Sequence, residues 1–157
     1  MRKIDLTAVK AEDITDTPSL VTPMPEPIVV PAKLRAVLGG EPDSMWIYRT
    51  ADGSAFGAVA RWNPEGKRKE IRPIVWDGKK FITSGFGPER PLYNSDMIAS
   101  APTAPVLIVE GEKAADAAPQ YLPDGWVVTT WQGGANAVDQ TSWAILEGLS
   151  VVVWPDN

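Results

Sequence analysis

The chain has 157 residues, a formal net charge of −5 and 44% hydrophobic side chains, enough for one ordinary domain with a real core or for a small domain with an appendage. It contains no cysteine and no histidine, which excludes disulfides, thiolate chemistry, the usual zinc sites and imidazole acid–base catalysis; carboxylates, lysines, backbone amides or an oxygen-ligated ion must carry any reaction. No apolar run approaches the roughly 18 residues of a membrane span, and the start, Met1-Arg2-Lys3-Ile4-Asp5, lacks the apolar stretch of a secretion signal, so a cytoplasmic protein with no membrane partner is expected.

Residues 1–30 are rich in Thr, Pro and acidic side chains, have no sustained period, and predict a flexible leader. The stretch from Pro31 to Gly40 predicts a short helix, with proline near its first turn and glycine past its end. The texture then changes. Apolar runs over 45–50, 55–62, 69–76 and 79–83 are separated by Asp52-Gly53, Glu65-Gly66 and Asp77-Gly78, the turn chemistry of hairpins, and predict an antiparallel meander of about four strands. A Gly- and Pro-containing connector from Gly85 to Asn94 leads to Ser100-Ala101-Pro102-Thr103-Ala104-Pro105, which predicts a boundary. The expected organisation is therefore a leader over 1–30, a β-rich subdomain with its connector over 31–100, and a further unit over 104–157.

That unit has an α/β pattern: strands over 106–109, 126–130 and 151–154, and helices from Glu112 to about Ala118, where Pro119 ends or kinks the helix, and over 139–146. Alternation of this kind implies right-handed crossovers and a parallel sheet. Ligands of such a sheet bind beyond the carboxyl ends of its strands. The residues just past those ends are Glu110-Gly111, Gln132-Gly133-Gly134-Ala135-Asn136 and Pro155-Asp156-Asn157, so all three unusual loops are expected on one rim. Two acids there, Glu110 and Asp156, suggest a magnesium site. Singly, each loop has a plainer explanation: a helix-start acid favoured by about 0.3–1 kcal/mol, a tight glycine turn, and a turn by composition.

Charge is unevenly spread. Residues 61–90 carry eight basic and four acidic side chains, whereas 104–157 carry one basic and seven acidic, an arrangement that suits either a polyanion held near a cation site or two solvated faces of unlike sign. Arg61, Lys67, Arg68, Lys69, Arg72, Lys79 and Lys80 lie among Trp62, Trp76 and Phe81, the mixture of a groove that tracks a backbone and stacks bases. Ordinary burial preferences place the same aromatics in the meander's core.

The apolar strand ending in Glu110-Gly111, the later Trp131-Gln132-Gly133-Gly134-Ala135-Asn136 turn, and the apolar strand ending in Trp154-Pro155-Asp156-Asn157 together resemble the Toprim domain, the magnesium-binding module of bacterial-type primases, topoisomerases and some nucleases. The form looks most like the primases and primase-helicases of phages and mobile elements. The likeness covers about the last third of the chain, and 48–93 resembles the β-rich segment that precedes the module. The zinc module often found upstream is absent, and the third position of the Asp-x-Asp motif lies beyond Asn157, so an incomplete Toprim-like sheet and a fragment with little activity are expected. The resemblance implies magnesium-dependent nucleotidyl transfer, RNA primer synthesis on single-stranded DNA, with nucleotides as substrates and a helicase domain or subunit as partner. It implies Glu110 as general acid–base or metal ligand, Asp156 as metal ligand and Lys113 as a phosphate-facing cation. Gly111, Gly133, Gly134, Arg61, Lys67, Arg68 and Lys69 are the expected substrate-binding residues. The rivals are a non-catalytic nucleic-acid-binding module and a Toprim nuclease.

Overall fold

The computed structural model describes residues 20–155. Helix α1 (Ala32–Leu38) follows Pro31 and stops at Gly39, whose left-handed backbone turns the chain away. Strands β1 (Ser44–Arg49), β2 (Ala55–Trp62), β3 (Glu70–Trp76) and β4 (Phe81–Thr83) then form an antiparallel sheet in chain order, as the Asp-Gly turns predict. Asp77 fixes the last turn by accepting from the amides of Lys79 and Lys80, both at 2.8 Å.

Alternation along these strands splits the meander into two apolar faces. One buries Ala58, Ala60, Trp62 and Ile74 beneath α1 and residues 24–30. The last part of the expected leader is thus packed: Met24 and Val30 are buried, and the amides of Val21 and Met24 donate to the carbonyls of Trp76 and Ala55. Residues 1–19 of the expected leader lie outside the described residues. The other face packs Trp46, Tyr48, Val59 and Val75 against Phe86 of the connector. Gly57 makes that contact possible, since a Cβ there would lie 2.5 Å from the Phe86 ring.

The connector carries a helix that the sequence did not announce, α2 (Ser95–Ser100), which buries Ile98 against the second unit. That unit is a three-stranded parallel sheet in the order β6-β5-β7, with β5 (Val106–Ile108) between β6 (Val127–Thr129) and β7 (Val151–Val153). Helix α3 (Glu112–Ala117) leaves β5, and a 3-10 turn over Ala118–Tyr121 takes over next to Pro119, as expected.

Two expectations for this unit need correction. The helix expected over 139–146 is replaced by 3-10 turns at Ala135–Gln140 and Ala144–Leu146. Tertiary bonds interrupt it: Thr141 forms an isolated parallel bridge with Arg90, and the Ser142 amide donates to the Arg90 carbonyl, while the Thr141 hydroxyl turns back locally onto the Ala137 carbonyl. Strand β7, read from its valines as a buried strand, is paired but exposed along its length, because among the described residues nothing covers it. The whole is a mixed α/β arrangement of two sheets. No helix among the described residues is long and apolar enough to cross a membrane.

Candidate active-site cleft

Strands β5 and β6 end side by side, and their following loops open onto a cleft of about 300 Å³ whose opposite wall is the meander. Glu110, Gly111 and Lys113 form one side and Gln132, Gly133 and Gly134 another. The meander contributes Arg61 and Lys69 to the third. Most of the residues expected to act together therefore do share one space, although they come from two separate sheets. Lys67 and Arg68 do not line it; they sit on the exposed β2–β3 turn. Asp156 lies outside the described residues, but β7, which leads to it, is paired beside β5 in register, Ile108 opposite Val153.

A larger groove of about 680 Å³ lies on the other face of the meander, where Lys79 and Lys80 flank Trp76 and Phe81 near the start of α1. It contains none of the rim residues. Trp62 is buried, and Trp76 and Phe81 pack against the same core, so these aromatics serve the meander's interior.

The wall opposite the basic residues is held by bonds that motif reading missed. Glu112 and Asp116 are four residues apart on α3 and share a face. Glu112 accepts from the Tyr48 hydroxyl at 2.8 Å, and Asp116 accepts from Trp46 Nε1 at 2.7 Å and from the Tyr93 hydroxyl at 2.9 Å. Burial, reinforced by the neighbouring carboxylates, pushes both phenols well above their ordinary range, so they remain protonated donors. The meander is thereby fastened to α3, and Glu112 is engaged. Glu110 is exposed at the rim, and its carboxylate makes no side-chain hydrogen bond among the described residues. A hard cation takes such oxygen donors, so Glu110 fits as one ligand of magnesium. Among the described residues there is no cluster of three or more acidic side chains that could hold a metal by itself.

Behind the glycine turn lies another residue absent from the expected set. Arg90, 7% exposed, donates from Nε to the Gly87 carbonyl at 3.0 Å. Its Nη1 donates to the Gln132 carbonyl at 3.0 Å and to Gln132 Oε1 at 2.6 Å, and its Nη2 to Gln140 Oε1. No carboxylate pairs with it among the described residues, and burial lowers its proton affinity. Gly133 lies directly over this guanidinium: a Cβ there would be 2.9 Å from Nη1 and 2.7 Å from the Ala137 Cβ, and its φ of +103° is left-handed. Only the doubled glycine hinted at such a close approach in the sequence. Comparison with protein families, curated proteins and solved structures gives no match to this chain.

Proposed function

We propose that the chain belongs to a Toprim-type primase or primase-helicase, an enzyme of magnesium-dependent nucleotidyl transfer on single-stranded DNA. The observation that supports this best is the cleft itself, where a carboxylate just past the end of β5, without a hydrogen bond among the described residues, shares one space with a glycine turn and two cations of the meander. Magnesium, when bound, would supply charge neutralisation at the reacting phosphate and a lower pKa for the attacking hydroxyl. Glu110, with Asp156, holds the ion or takes that proton. Arg61, Lys69 and Lys113 bind phosphate oxygens, and the 133–134 turn lets the backbone approach them. Helix α3, which begins two residues after Glu110, is fastened to the meander and connector by Tyr48, Trp46 and Tyr93.

The test is equilibrium dialysis of ATP, together with anisotropy of a labelled oligothymidine, with and without magnesium. ATP binding should require magnesium and should be lost in Glu110→Gln, which keeps the shape of the side chain but removes its charge; the unfolding free energy should change by no more than a helix-start acid contributes, about 1 kcal/mol or less. Oligonucleotide binding indifferent to magnesium, with no ATP binding, overturns the proposal in favour of the non-catalytic module. Cleavage of the labelled strand without ribonucleotides assigns the same site to a nuclease.

A further inference from the structure

The glycine turn is braced from beneath on both sides. Arg90 Nη1 holds the Gln132 carbonyl, and Trp131 Nε1 donates to the Gly134 carbonyl at 2.7 Å. Both carbonyls are thus drawn toward the protein, while the amides of the exposed Gly133 and Gly134 have no acceptor among the described residues. Two successive amides without described acceptors, on glycines at positive φ, leave donors from which an anion in the cleft can accept. Beneath them sits a guanidinium ligated by neutral oxygens alone, a buried cation whose charge no described side chain cancels.

We propose that Arg90 is the positioning residue of the cleft: it sets the 132–134 turn as a cradle for the polyphosphate of a nucleotide, and its unneutralised charge favours the anion from behind. The proposal deepens the nucleotidyl-transfer reading and rests on it for the identity of the ligand. Lysine cannot replace Arg90, because a single ammonium cannot span Gly87, Gln132 and Gln140 together. Gly133 cannot change either, since any side chain would push the turn off the guanidinium.

Inorganic tripolyphosphate is the probe, its binding measured by calorimetry at low salt well below each variant's melting temperature, alongside hydrogen exchange of the Ala137 amide, which closes the turn by donating to the Gly134 carbonyl. Arg90→Lys and Arg90→Met should weaken tripolyphosphate by about tenfold or more and speed exchange in the turn, whereas Lys33→Ala, on α1, should do neither. Gln140→Leu removes one arm of the fork without touching the cation; should the Arg90 variants not fold, it must still speed exchange in the turn and weaken the probe by at least threefold. Folded variants that bind like the parent overturn the role of Arg90 while leaving the nucleotidyl-transfer reading standing. A parent chain that ignores tripolyphosphate overturns the cradle, and failure to bind ATP with magnesium separately overturns the reading beneath it. Unchanged exchange in the turn overturns the positioning role whatever binds.

Discussion

At the scale of single residues, the cleft depends on side chains whose importance comes from burial. Tyr48 is fully buried and gives its only hydroxyl hydrogen to Glu112, so Tyr48→Phe should preserve packing and cost about 1.5–3 kcal/mol, the usual worth of a hydrogen bond to a charged acceptor. The same tyrosine predicts an alkaline limit. Its folded pKa lies above the ordinary value of 10.0, so its contribution is complete below that pH and declines above it, where the unfolded chain releases a proton that the folded one keeps. Melting temperature measured from about pH 8 to 11 should fall steeply beyond about pH 10, and Tyr48→Phe should make that fall shallower; an unchanged profile would remove Tyr48 from the linkage. Glu110 and the glycine pair were legible in the sequence because each interrupts an apolar strand pattern at a rim. Tyr48, Tyr93 and Arg90 were not, because their partners lie 64, 23 and 42–50 residues away and no local period encodes such bonds.

At the scale of elements, the meander was readable almost residue for residue because Asp-Gly turns and alternating apolarity act locally and agree. The short α2 and the 3-10 turns around Thr141 escaped, since tertiary bonds from Asn94 and Arg90 decide them: the Asn94 side chain donates to the Val128 carbonyl at 2.9 Å and the Arg90 backbone bridges Thr141. The joint between the meander and the connector is tighter than either element suggested. Phe86 is 2% exposed and meets Tyr48 and Phe56 edge-on, with Gly57 leaving room for its ring. Gly57→Ala should therefore destabilise the protein by about 1–3 kcal/mol through overpacking. Adding Phe86→Leu should recover part of that loss, and a double-mutant cycle in urea measures it; strictly additive effects would mean that the ring has room to move.

At the scale of the molecule, folding sorts six cations of a basic stretch of sequence into three places. Arg61 and Lys69 face the acidic rim across the cleft, Lys67 and Arg68 project from the β2–β3 turn, and Lys79 and Lys80 edge the groove on the opposite face. The sequence shows the charge excess but not this division, because strand alternation and turn geometry together determine which cations converge. Phosphate contacts make binding salt-dependent in proportion to their number, about 0.7 in the logarithmic slope for each contact to a single strand. If the cleft holds the strand, Arg61→Ala with Lys69→Ala should weaken oligothymidine binding at low salt and reduce the slope by about 1.4. Lys67→Ala with Arg68→Ala removes the same charge from outside the cleft and should change the slope by less than half as much. Both pairs alter net charge equally, so a general electrostatic attraction predicts equal effects, and only a strand seated between Glu110 and the meander predicts the difference. Equal slopes from anisotropy titrations across a salt series would move the nucleic acid out of the cleft and onto the meander's surface at large.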